Sequence, residues 1–131
     1  MMTDPISDML SRIRNASMVH GRDVVVPHSR MKYEIASILH AEGFLAGVEE
    51  YQDGNRPMLR LRLKYDEQKK PAIQKIQRIS KPSRRVYVKA NDISQVCYGF
   101  GRAILSTPSG LMTNREAKKR RLGGEVICEI F

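Results

Sequence analysis

The residues able to do covalent or metal chemistry are few and scattered. His20, His28 and His40 stand apart from one another, and none has a cysteine or carboxylate at ligand spacing, so a zinc site has no foothold. Gly99-Phe100-Gly101 runs on to Ile104 where a dinucleotide fingerprint needs glycine, and no phosphate-cradling P-loop occurs. Ser29-Arg30-Met31-Lys32 has the S-x-x-K spacing of an acylated serine, but its companion motifs are missing, and a serine capping a helix explains it. Cys97 has no identifiable histidine partner and reads as a small buried thiol. An RNA-processing enzyme would need a positioned base or metal set; Asp66, Glu67, Glu116 and Glu125 show no such spacing. The expectation is a non-enzyme that needs no cofactor and no metal.

Recognition chemistry is better represented. Ser106-Thr107-Pro108-Ser109-Gly110 packs three hydroxyls and a glycine into five residues. Hydroxyls both donate and accept, so such a turn suits phosphate oxygens, 2′-hydroxyls and base edges; an ordinary hairpin turn uses the same residue types. Tyr87, between Arg85 and Lys89, suits either half-buried strand packing or stacking on an unpaired base. The charge is lopsided. The 131 residues carry a net +9, of which residues 1–65 hold nine basic and eight acidic residues, leaving +8 for residues 66–131. Arg78, Lys81, Arg84, Arg85 and Lys89 run together with no acid between them, and Arg115, Lys118, Lys119, Arg120 and Arg121 are offset only by Glu116. Two one-sided clusters beside a hydroxyl-rich turn favour a polyanion, and RNA in particular.

Several classes drop out on composition. At 41% hydrophobic residues the chain supports a packed interior. No apolar run approaches the roughly 18 residues of a membrane helix. Met1–Leu10 contains Asp4 and Asp8 and lacks a basic stretch before an apolar one, so it does not read as a secretory signal. Two cysteines in such a chain read as reduced thiols of a cytosol-like compartment.

The elements that must position these groups follow from periodicity. Asp4 caps, and Pro5 opens, a helix with Ile6, Met9, Leu10 and Ile13 on its apolar face. Val24–Pro27 is a short strand. Ser29 caps a second helix with Met31, Ile35, Ile38 and Leu39 inward, closed by Gly43. Leu59, Leu61, Leu63 and Tyr65 alternate with Arg60, Arg62 and Lys64, a strand whose hairpin partner is Phe44–Tyr51 through Asp53-Gly54-Asn55. The N-terminal order is αβαββ. Further on, Ile73, Ile76 and Ile79 mark a strand, Arg85–Lys89 another, and Asp92 caps a helical turn to Val96. Ala103–Leu105 is a buried strand leading into the polar turn. Thr113 and Glu116 form a capping box for a helix to Arg121, Gly123-Gly124 ends it, and Val126–Phe131 is the last strand. The chain is therefore expected to be α+β in two small subdomains: an N-terminal α/β domain at 1–66, a linker at 67–71, and a C-terminal RNA-binding domain at 72–131, mostly β with short helices.

Six collinear segments carry a resemblance: Thr3–Ala16, Ile79-Ser80-Lys81-Pro82, Arg85-Val86-Tyr87, Ala103–Thr107, Met112–Ala117 and Leu122–Cys128. Together they resemble, over residues 3–131, the family of the eighth protein of the bacterial small ribosomal subunit. The resemblance implies a structural constituent of the ribosome, in the cytoplasm or in an organellar stroma or matrix. Its implied partner is the central domain of small-subunit ribosomal RNA, where the family nucleates subunit assembly, alongside neighbouring small-subunit proteins and no membrane. It also implies repression of its own operon through messenger RNA. A regulator acting on messenger RNA alone is the runner-up. Family contacts fall on Ser106, Thr107, Ser109 and Gly110, on Tyr87 as the stacking ring, and on Glu125. In the N-terminal part they fall on Thr3, Asp4, Pro5, Arg14, Ser29 and Lys32. Arg84, Arg85, Arg115 and Lys118 are expected to neutralise phosphates. Glu125 either accepts from base amino groups, orders the turn, or is a plain strand-edge carboxylate. The sequence departs from the family at Pro108, which replaces a usual serine. That removes a hydroxyl and an N–H, and in exchange stiffens the turn.

Overall fold

The computed structural model describes residues 4–131, and its helices and antiparallel sheets make an α+β fold. The chain divides into two compact units, one of residues 5–74 and one of Asp4 with residues 75–131.

In the first unit, α1 (Pro5–Met18) and α2 (Arg30–Ala41) pack on a three-stranded sheet of β1 (Asp23–Pro27), β3 (Arg56–Leu63) and β2 (Leu45–Asp53), in the order β1-β3-β2. Alternation decides which face is covered. Val24 and Val26 pair with Leu61 and Leu59, and these four are buried with Leu63, Ile6, Met9, Leu10, Ile13, Ile35 and Leu39. The opposite face is polar: Arg60 stands opposite Glu49, 3.3 Å away, and lies over the Tyr51 ring. Helix α2 ends as its glycine suggests, with Gly43 at φ +85 and the Phe44 N–H reaching the Leu39 carbonyl. Its inward face is Lys32, Ile35, Ala36 and Leu39, while Met31 and Ile38 are only half-buried. The stretch read as linker is an ordered turn: the Asp66 carboxylate accepts from the Gln68 and Lys70 N–H groups, and Pro71 bridges back to Tyr65.

The second unit is a five-stranded sheet threaded by β8 (Gly124–Ile130), which pairs with β4 (Ile76–Arg78) and β5 (Tyr87–Val88) on one edge and with β6 (Arg102–Thr107) on the other; β7 (Gly110–Thr113) follows β6. Helix α3 (Asn114–Arg120) covers one face, closing a cluster of Ile93, Ala103, Leu105, Met112 and Ala117. Its cap is the expected Thr113, whose hydroxyl accepts from the Glu116 N–H, but the Glu116 carboxylate turns to Arg120 instead of completing the box. Arg121 leaves the helix at φ +58.

Three of these local expectations are corrected, and one strand appears that the periodicity did not mark. The strand expected over Arg85–Lys89 shrinks to Tyr87–Val88: Lys81 and Arg84 close a turn by bonding each other's backbone, and ahead of Tyr87 the Val86 carbonyl still accepts the Val126 N–H. Asp92 ends a single helical turn, Ala90–Asp92, instead of capping one. Strand β7 has no counterpart in the periodicity; its four residues are recruited by pairing with β6 and have no long period of their own. Cys97 is exposed, and the buried thiol is Cys128, whose pKa burial pushes up to about 12.

Candidate nucleic-acid interface

Register brings distant residues into one row. Tyr87 on β5 stands opposite Glu125 on β8, Glu125 opposite Ser106 on β6, and Ser106 opposite Leu111 on β7. Side chains directly opposite in antiparallel neighbours share a face, so the phenol, carboxylate and hydroxyl lie side by side. Ala103 and Leu105 point to the other face, into the cluster under α3. Tyr87 is 70% exposed although it sits in a sheet. The row requires β8 to lie close against both neighbours, and two glycines permit it. A Cβ on Gly123 would stand 2.5 Å from the Val88 carbonyl oxygen, and one on Gly124 would collide with that of Ser106.

Glu125 organises the basic loop beside the row. Its Oε2 accepts from the fully buried Ser80 hydroxyl at 2.7 Å and from the Arg85 guanidinium at 2.9 Å. The Ser80 oxygen in turn accepts the Val86 N–H at 2.8 Å. Burial alone would raise the Glu125 carboxyl, but the Ser80 and Arg85 hydrogen bonds, with the charges of Arg85 and Arg78, outweigh it and hold it below its ordinary value. Glu125 is thus an anionic post that pins residues 80–86 and aims the loop carrying Arg84, Arg85 and Tyr87. It bonds none of the turn's hydroxyls among the described residues.

The polar turn resolves into two roles. It is a two-residue hairpin, Pro108-Ser109, between the paired Thr107 and Gly110. Pro108 occupies the position where its fixed φ suits a tight turn, and Gly110 takes φ +110. Thr107 is buried: its hydroxyl donates to the Gly110 carbonyl at 2.8 Å and accepts the Ser109 N–H at 3.1 Å, so it builds the turn. Pro108, Ser109 and Gly110 are exposed, Ser106 is half-buried on the tyrosine's face, and the hydroxyls of Ser106 and Ser109 bond no described side chain or backbone group.

The other expected residues scatter. Arg115 and Lys118 are exposed on α3, across the sheet from the row. In the first unit Arg14 and Pro5 are exposed on α1, Ser29 caps α2 by accepting the Lys32 N–H, and Lys32 is buried with its ammonium on the Pro27 carbonyl at 2.8 Å, its pKa lowered by burial. Asp4 pairs with Arg78 at 3.1 Å, and Thr3 lies outside the described residues. No group of three or more histidine, cysteine or carboxylate side chains able to hold a metal occurs among the described residues, and no described helix is long and apolar enough to cross a membrane.

Comparison with known proteins decides the affiliation. Residues 4–131 match the family described as Ribosomal protein S8. The chain belongs to that family. It is 52% identical to the small ribosomal subunit protein uS8 of Clostridium beijerinckii over 130 residues, 99% of this chain and 98% of the relative. It is 53% identical over 130 residues to that of Clostridium novyi, and 49% identical to that of Thermus aquaticus over the full length of both chains. The S8 family is a structural, non-enzymatic one of the small ribosomal subunit, a ribonucleoprotein particle of translation. In this S8-family chain the residues that spacing alone did not single out are Ser80 and Gly124. Ser80 lies in the family-like segment Ile79-Ser80-Lys81-Pro82, but only its burial against Glu125 shows its role. Gly124 read as a helix stop.

Proposed function

We propose that the second unit grips an irregular helical segment in the central domain of small-subunit ribosomal RNA and so nucleates folding of that RNA during assembly. The observation that carries this reading is the exposed Tyr87 ring, in register with Glu125 and Ser106 beside the outward Pro108-Ser109 turn, with Arg84 and Arg85 flanking it. The major groove of regular A-form RNA is too narrow for side chains, so a stacking ring and free hydroxyls suit a helix with splayed or unpaired bases. The cations supply affinity by neutralising phosphates. Glu125 positions Arg85 by a direct hydrogen bond and leaves Oε1, bonded by no described residue, for a base amino group. Pro108 holds the turn in shape before binding, which lessens the entropy lost on docking. Arg14 is the exposed N-terminal cation that fits a phosphate contact, while Ser29 and Lys32 support α2. A messenger RNA of like shape in the protein's own operon would compete for this row, which gives translational repression.

Affinities of Tyr87→Ala and Ser106→Ala for a central-domain RNA fragment test the reading directly. The tyrosine variant is expected to lose about 1–3 kcal/mol, the range for base–aromatic stacking. Unchanged affinity in both variants removes the proposed reading surface. Ribosomal and messenger fragments should displace one another.

A further inference from the structure

The segment between the second helical turn, Cys97–Gly99, and β6 is built to display aromatic rings. Tyr98 is 93% exposed and Phe100 83%. Their backbone is unusual: Cys97, Tyr98 and Gly99 all have positive φ, at 49°, 55° and 92°. Two consecutive non-glycine residues in that region are strained and persist only where their surroundings hold them. Here the Arg102 guanidinium donates to the Gly99 and Gly101 carbonyls at 2.9 and 2.7 Å, and the Gly99 and Gly101 N–H groups both return to Val96. Gly101 cannot carry a side chain, since a Cβ there would meet the Ile130 carbonyl at 2.6 Å. The hook is tied by these hydrogen bonds, and the rings it carries face solvent.

A cationic cleft adjoins it. Arg115, Lys118 and Lys119 line one wall, Ser94 and Gln95 the other, in a volume of about 320 Å³ without any carboxylate. Two acids adjoin its lining residues in sequence: Glu116 is taken by Arg120 at 2.7 Å, and Asp92, next to Ile93, is exposed outside the lining. The Asn114 side chain ties the walls together, its Oδ1 accepting the Ala103 N–H and its Nδ2 donating to the Ser94 carbonyl. Hook and cleft share Gln95, whose carboxamide lies 3.8 Å from where a Cβ on Gly99 would stand.

We infer that this hook and cleft form a second RNA site, for an unpaired strand, distinct from the row of Tyr87, Glu125 and Ser106. Exposed rings give stacking platforms and the cleft takes the phosphates, which is the combination that holds single strands without reading their sequence. A protein partner fits less well, because lysine is depleted in protein interfaces and two of the three cleft cations are lysines. Separation follows from the sheet. Hook and polar turn lie at opposite ends of β6, roughly 17 Å apart for its length at the usual strand rise, and α3 covers the face that the row does not use.

The test uses the full chain with fluorescent oligouridine and, separately, the central-domain fragment. The double variant Tyr98→Ala with Phe100→Ala should weaken oligouridine binding by about tenfold or more and leave fragment affinity unchanged. Lys118→Ala with Lys119→Ala should weaken oligouridine binding in the same way. Tyr87→Ala should do the reverse, so failure at one site is distinguishable from failure at the other. Oligouridine should also stay bound when the fragment saturates the protein. Wild-type oligouridine affinity in the double variant, or its displacement by the fragment, overturns the inference. So does a double variant that binds oligouridine normally but fails to join the small subunit, which would give the surface to a protein.

Discussion

Glu125 shows how a residue that looks misplaced in a basic surface is made useful. An acid among cations weakens phosphate attraction, yet this one converts Arg85 from a free side chain into a directed donor and buries Ser80 as the hinge pin of the loop. Its folded carboxyl ionises below the ordinary 4.5, so its stabilising contribution is complete above that value and is lost as pH falls through the lowered folded value. Acid unfolding of the wild type should therefore show a loss of stability in the window below 4.5 that Glu125→Gln lacks, while at neutral pH the variant should melt a few degrees lower. Thermal melts across pH 3–7 check this, and identical pH profiles would mean that the network does not stabilise the fold. Thr107 and Ser106 make the complementary point: adjacent hydroxyls have opposite duties because neighbouring strand residues face opposite ways.

At the scale of elements, the platform depends on how closely β8 fits between β5 and β6. Gly124→Ala places a methyl against the Ser106 carbonyl, a backbone group that cannot swing aside. The expected cost is about 1–3 kcal/mol or more, as for other overpacked sites, read as a lower urea midpoint. RNA affinity should fall with it, since the same shift parts Ser106 from Glu125 and Tyr87. Stability near wild type would mean that the strands have room for the methyl after all. By contrast, a Cβ on Gly110 would meet nothing within 4 Å, and only its φ of +110 argues for glycine there.

Over the whole molecule, charge is the organising quantity. The excess resides in residues 66–131, with +8 of the net +9. In the second unit it is split between a loop beside the tyrosine row and the outer side of α3. Affinity for RNA should fall linearly on a log–log plot against salt. Arg84→Ala should weaken binding to all RNAs and make that slope shallower by about one unit or slightly less, the contribution of a single phosphate contact. A slope unchanged from wild type would put Arg84 on a solvated face.

Much of this was open to a reader of the chain alone. The 3.6-residue spacing of Ile6, Met9, Leu10 and Ile13, the strict alternation of Leu59–Leu63 and the caps Ser29 and Thr113 are local rules, and local rules survive into the fold. The family affiliation was equally legible, because it rests on residue identity in order. What needed the tertiary structure was anything decided by partners far away in sequence. Strand β7 exists because β6 lies beside it, Cys97 is exposed because a clamped left-handed loop lifts it out, and Glu125 meets Ser80 across 45 positions of chain. Hydrogen bonding and burial between such segments depend on three-dimensional proximity, which no window of sequence contains.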